Sequence, residues 1–157
     1  MSVSKLSRDD FQHVVQNAPL VSIDLIVENE VGEYLLGLRK NAPARGYWFV
    51  PGGRVYKGET LSTALERTSE TELGITVSMA EGRFLGLYEH FYEENALNAP
   101  GFGTHYVVAA FWVKYTGKVL PTAQHSDYRW LSAEEILEDP LVHPYTQDYF
   151  RADKGIR

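Results

Sequence analysis

The sequence predicts an α/β (α+β) domain in which a β-sheet lies between helices. Three observations carry this. Strand-type runs recur along the chain, and two of them, 20–27 and 33–38, flank the turn sequence 29–32 as a hairpin would. A polar, acidic segment with helical spacing stops at Gly74. A long segment, 104–115, built around an apolar run, has the length and composition of a buried strand. At 157 residues the chain is long enough to bury a substantial core and is expected to form one domain, 1–157.

Taken in order, Ser7 followed by Asp10 reads as a helix start. Phe11, Val14 and Val15 then recur at helical spacing up to Pro19. The hairpin 20–38 follows, then a loop over 40–46 that contains Pro43 and Gly46. Residues 47–50 form a short strand running into Pro51, Gly52 and Gly53. Beyond the helix, strands are expected near 76–79 and over 83–91. Residues 94–103 are polar and turn-rich, long enough to serve as a mobile flap. After the strand 104–115 come a loop over 120–126 and a short strand over 127–131. Ser132 then caps a helix over 133–137, and a last helix spans 143–150.

A formal net charge of −6 argues against a nucleic-acid polymer as partner, because such binders carry a basic face. Without cysteine there is neither disulfide nor thiolate chemistry. No apolar signal segment opens the chain, and the longest apolar run, 106–113, is strand-sized rather than bilayer-sized. These features lead to the expectation of a cytoplasmic protein with no membrane contact.

The helix that ends at Gly74 holds the chemistry. Leu61, Ala64, Leu65 and Thr68 form its inward stripe, and Glu72 extends that stripe by one more turn. A carboxylate on an apolar face is costly to bury, and at a helix C-terminus it also opposes the macrodipole. It calls for a positive partner, either a cation or an arginine such as Arg67 or Arg54. The glycine turn just ahead favours the cation, and Mg²⁺ suits a set of hard oxygen donors. Glu66 and Glu70 fall on the solvated face.

The segment 53–75 resembles the Nudix box, G-x5-E-x7-R-E-U-x-E-E-x-G-U with U aliphatic. Gly53, Glu59, Arg67, Glu72, Gly74 and Ile75 match it. Thr68 and Thr71 stand where two glutamates belong, and Ser69 where an aliphatic residue belongs. Further on, Gln124 and His125 place an amide oxygen and an imidazole side by side on a loop. The thinned box, this pair, the hairpin, Tyr47-Trp-Phe-Val-Pro-Gly-Gly-Arg, His90-Phe-Tyr and Thr104-His-Tyr-Val-Val together resemble the GDP-mannose mannosyl hydrolase branch of the Nudix family. The resemblance runs over about 6–131.

That resemblance implies a Nudix fold, a mixed β-sheet sandwiched between α-helices. It implies Mg²⁺-dependent hydrolysis of GDP-mannose or GDP-glucose to GDP and free hexose, by water attack at the anomeric carbon with inversion. The Gly52 carbonyl, Glu72 and Gln124 would ligate one Mg²⁺ per subunit, with Mn²⁺ as a substitute, and His125 would be the general base. Arg39 and Arg54 would face the diphosphate, and Asp24 the sugar end. His90 and Tyr106 would border the substrate, and Leu6 and Phe11 would help hold the nucleotide. Glu59 and Arg67 would brace loop against helix, with Arg67 also on the substrate side. A homodimer acting on a GDP-sugar is implied as well.

Simpler readings stand beside these. Asp24 fits an edge strand or turn, Arg39 a strand end at the surface, and Tyr106 and Phe11 ordinary core packing. His105 and His143 read as structural, without identifiable partners. Two competing functions remain: a pyrophosphohydrolase cleaving P–O in a nucleoside diphosphate derivative, and a non-catalytic nucleotide-sugar-binding domain. The missing glutamates favour attack at carbon. There a good leaving group departs without a strong acid, and one cation with two arginines suffices to meet its charge.

Overall fold

The computed structural model describes residues 5–117, 120–121 and 127–157. Its elements run α1 (Arg8–Asn17), β1 (Leu20–Glu28), β2 (Tyr34–Leu38), β3 (Trp48–Phe49), β4 (Gly52–Arg54) and α2 (Leu61–Leu73). They continue with β5 (Arg83–Tyr92), β6 (Thr104–Lys114), β7 (Tyr128–Leu131), α3 (Ala133–Glu138) and α4 (Pro144–Asp148). The strands form one mixed sheet in the order β3-β2-β1-β6-β5, with β4 added to β1 and β7 to β2.

β1 is the backbone of this sheet. It runs parallel to β6 from Leu20 opposite Tyr106 to Glu28 opposite Lys114. On its other edge it pairs antiparallel with β4, at Ser22 with Arg54, Ile23 with Gly53 and Asp24 with Gly52. Asp24 is therefore interior to the sheet, not on an edge strand. The same pairing limits the expected hairpin. β1 and β2 meet at Glu28 and Tyr34 and then diverge, because β4 takes the edge of β1 while β3 and β7 take the two edges of β2. The turn itself holds as expected: the Asn29 side-chain oxygen accepts from the amides of Val31 and Glu33.

Each face of the sheet carries its own apolar cluster. Ile23, Leu25, Val27, Leu35 and Phe111 pack with Ala64, Leu65 and Leu73 of α2 on one side. Ile26, Leu36, Trp48, Val108 and Tyr88 pack with Ile136 of α3 and Val142 on the other. α2 opens with Thr60, whose side chain accepts from the Thr63 amide, and closes at Gly74 in the left-handed conformation, φ 71°. Its buried stripe is Ala64, Leu65, Thr68, Ser69, Glu72 and Leu73. Leu61 was expected on that stripe but is 46% exposed, since the helix covers the sheet only from Ala64 onward. Ser132 caps α3 in a full capping box with Glu135.

Two other expectations change. Residues 76–79 are not a strand. The Val77 amide donates to the Ser69 hydroxyl at 2.9 Å, and Ser78 and Gly82 close a turn with the Glu81 side chain and the Ser78 carbonyl. The segment 94–103 is turn-rich as expected, but it folds on the buried Asn95. That side chain donates to the carbonyls of Ala99 and Phe102 and accepts from the amides of Leu97 and Ala99.

Ser69 thus does more than a small residue in an aliphatic position. Its hydroxyl donates to the Glu66 carbonyl at 3.0 Å and receives the buried Val77 amide. Ser69→Ala leaves that amide unpaired and is expected to cost about 1–2 kcal/mol, read as a lower urea midpoint at unchanged m-value. A midpoint equal to wild type would show the hydroxyl to be dispensable.

Candidate functional site

A cleft of about 200 Å³ opens where β1, β4, α2, β5 and β6 converge, and Asp24, Arg39, Gly52, Arg54, Glu72, His90, Tyr92 and Tyr106 all line it. Its floor depends on glycine. A Cβ on Gly52 would collide with Oδ1 of Asp24 and come within 2.6 Å of the Ile23 carbonyl oxygen. A Cβ on Gly53 would sit 3.3 Å from Oγ1 of Thr68. The box loop therefore lies directly on the central strand.

From α2 come Thr68 and Glu72, four residues apart and both buried. Thr68 is 1% exposed, and its hydroxyl has no hydrogen-bond partner among the described residues. Across the cleft, the buried Asp24 accepts a hydrogen bond from the Tyr149 hydroxyl. Burial pushes the Asp24 carboxyl up to about 7; the Tyr149 bond and the nearby Arg39 charge pull it down, and Glu72 pushes it further up. Two carboxylates thus face one small space.

Arg39, expected to face the diphosphate, reaches into the cleft after β2. Its Nε donates to the Pro43 carbonyl at 3.0 Å, and its charge bears on Asp24, Tyr92 and Tyr106. Arg54 comes from β4 with its guanidinium over Phe11, 4.8 Å from the ring centroid, and over Tyr56 at 5.2 Å. Arg67 forks onto Glu59 at 2.7 and 2.9 Å and onto the Arg54 carbonyl at 2.7 Å. This pair holds the Glu59 carboxyl below the usual range. The expected brace is therefore present, and Arg67 does not line the cleft.

His90 and Tyr106 border the cleft as expected. His90 is 3% exposed, stacked on Tyr145 at 4.2 Å with the rings 5° apart, and burial lowers its pKa to about 3, helped by His143. Leu6 is 41% exposed and Phe11 half-buried, and neither lines the cleft; Phe11 meets it only through Arg54. Gln124 and His125 lie outside the described residues. Of the residues that bound them, Tyr128 donates its hydroxyl to the Pro121 carbonyl, and its pKa is raised by burial and by the charge of Glu72.

Several participants were not foreseen. Tyr149, the partner of Asp24, lies 125 positions away in the chain, and nothing local marks it. His143, read as partnerless, accepts the Tyr145 amide at 3.1 Å and packs on Phe49 and Tyr92. His105 stacks on Phe91 at 4.4 Å.

The donor set suits a hard divalent cation. Glycine backbone at the floor, the Glu72 carboxylate and Asp24 offer oxygen groups to a cleft that Arg39, Lys40 and Arg54 also line, and the buried Thr68 hydroxyl lies beside Gly53. Among the described residues no three His, Cys, Asp or Glu side chains gather into a metal cluster.

Comparison with known proteins gives a consistent picture. A model of the NUDIX domain matches residues 18–152. The chain is 41% identical over 152 residues to the low-salt glycan biosynthesis protein Agl8 of Haloferax volcanii, covering 95% of this chain and 91% of that one. It is 30% identical over 105 residues to human 8-oxo-dGDP phosphatase NUDT18, covering 67% of this chain and 28% of the human protein. Among solved structures, the MutT protein of Methanosarcina mazei Go1 superimposes with a TM-score of 0.69 at 27% identity, covering 85% of this chain and 92% of that one.

The neutral, buried His90 sets an acid limit on stability. Its folded pKa of about 3 lies below the usual 6.5, so the unfolded chain binds the extra proton as pH falls. Its contribution is complete above pH 6.5 and is lost on descending toward 3. Between pH 7 and 4.5 the wild type should lose about 2 kcal/mol more than His90→Phe, measured by urea unfolding at both pH values. Parallel losses in the two proteins would show that this ring is not held neutral.

Proposed function

The chain belongs to the NUDIX hydrolase family, and from that premise we propose that it hydrolyses a GDP-sugar, GDP-mannose or GDP-glucose, to GDP and free hexose. Water attacks the anomeric carbon, the C–O bond breaks, and configuration inverts. The observation that carries this reading is the facing pair Asp24 and Glu72, with Thr68 in place of a box glutamate. A buried carboxyl opposite the box repels phosphate oxygens but accepts hydrogen bonds from sugar hydroxyls. The name of the 41% identical relative, a glycan biosynthesis protein, agrees with an activated sugar as substrate.

In this reading Arg39 and Arg54 grip the diphosphate, whose charge grows as the sugar departs. The Gly52 carbonyl, Glu72 and Gln124 would hold one Mg²⁺, or Mn²⁺ in its place, which supplies further charge stabilisation on the leaving group. His125 takes the proton from the attacking water, whose oxygen becomes the anomeric hydroxyl, while the bonding pair leaves with the diphosphate. From an α-linked donor the product is the β-hexose. Asp24, His90 and Tyr106 enclose the sugar. Leu6 and Phe11 would help hold the nucleotide, Phe11 through its contact with Arg54, whose carbonyl Arg67 holds from behind. The enzyme is taken as a cytoplasmic homodimer of single-domain subunits; among the described residues no helix is long and apolar enough to cross a membrane.

Turnover in ¹⁸O-labelled water tests the reading directly. Label is expected in the hexose; label in phosphate would establish P–O cleavage and the ordinary pyrophosphohydrolase instead. His125→Gln should lower kcat by about 10²-fold or more, with KM near wild type and the acid limb of the pH–rate profile flattened. An unchanged kcat would remove His125 as base. Glu72→Gln should raise the Mg²⁺ concentration needed for half-maximal rate, and an unaltered metal requirement would place the ion elsewhere.

A further inference from the structure

Behind the cleft runs a buried polar chain whose central member, Tyr149, the reaction above does not use. Tyr149, after α4, is enclosed by the sheet and packs edge-on against Tyr88 at 4.6 Å between ring centroids. Its hydroxyl donates to Oδ2 of Asp24. On its other side lies Nε2 of His90 at 3.4 Å. The direction of this chain follows from proton counting. The Tyr149 hydroxyl has one proton and gives it to Asp24, so its oxygen accepts from His90, and the neutral imidazole carries its proton on Nε2. The stack with Tyr145 holds that ring in place.

The arrangement divides the Asp24 carboxyl. Oδ2 is committed to Tyr149, while Oδ1 lies against Gly52, which lines the cleft with Asp24, and is the atom a side chain there would strike. The geometry points to Tyr149 as a positioning residue: its hydroxyl pins Asp24 through Oδ2, so that Oδ1 faces the cleft as a fixed acceptor for one hexose hydroxyl and helps decide which hexose is turned over. A hydroxyl hydrogen-bonded to a carboxylate in a buried site is a strong directional constraint. The ring alone would fill the same volume, so packing does not require the oxygen. This inference rests on the sugar-hydrolase reading, since a role in sugar recognition presupposes a sugar at Asp24.

A double-mutant cycle with the full-length protein tests it, using wild type, Tyr149→Phe, Asp24→Asn and the double variant on GDP-mannose and GDP-glucose. Tyr149→Phe is expected to lower kcat about tenfold with KM within about twofold, and to narrow the preference between the two sugars. In the Asp24→Asn background the same change should cost less than about twofold. Wild-type kcat and preference in Tyr149→Phe, or losses that simply multiply in the double variant, would overturn the assignment. Fluorotyrosine at 149 keeps the shape and strengthens the donor, which covers the case in which Tyr149→Phe fails to fold. Altered kcat or preference supports positioning, and wild-type values overturn it. Product labelling with ¹⁸O runs alongside: label in phosphate overturns the sugar-hydrolase reading, while the cycle is still scored on the same rates. If neither sugar is turned over, the cycle is scored on the ratio of their Kd values.

Discussion

The near contact between β4 and β1, at Gly52 over Asp24, is the constraint on which the site depends. Only a residue without Cβ lets the box loop lie on the central strand, because any side chain would collide with the Asp24 carboxyl. That approach continues through Gly53, which rests on Thr68, and so fixes the depth at which α2 meets the sheet. The carboxylates of Asp24 and Glu72 then come to line one cleft from elements nearly fifty positions apart in sequence. Two glycines thereby convert a packing problem into a reactive geometry.

The cost of this geometry is the burial of polar groups, and the surrounding structure offsets it by pairing them. Asp24 has Tyr149 and the nearby charge of Arg39, and Glu59 has both arms of the Arg67 fork. Asn95 satisfies four groups of its own loop. Aromatic rings enclose the rest: Tyr92, Tyr106, Tyr145 and Phe49 surround His90 and the cleft wall. In such a shell charges interact more strongly than in water.

How much of this was legible in the sequence depends on range. The stop at Gly74, the Ser7 and Ser132 caps and the Asn29 turn are local signals, and each appears where its residues predict. Glu72 was legible from the helix stripe, while Asp24, Arg39, Arg54, His90 and Tyr106 were identified by resemblance, and the fold gathers all six around one cleft. Residues 76–79 looked like a strand because Thr76 and Val77 are β-branched, yet the Ser69 hydroxyl had already claimed the Val77 amide. The hairpin was half right for a comparable reason, since competition among strands for an edge has no local signature. Tyr149 was beyond reach altogether: its partner is 125 positions away, and a tyrosine at the end of a short helix looks like any other.

One further consequence follows from the ring of Phe11 against Arg54. α1 has ten residues, few enough that it gains most of its order from docking rather than from its own backbone. Because its Phe11 holds one face of a guanidinium that also lines the cleft, the helix and the cleft share a single cation. Freezing that guanidinium from either side lowers the entropy left for the other to remove. Under the proposed function, occupancy of the cleft and attachment of the amino-terminal helix would be thermodynamically linked, an anion on Arg54 acting as a remote clasp on a segment it never touches.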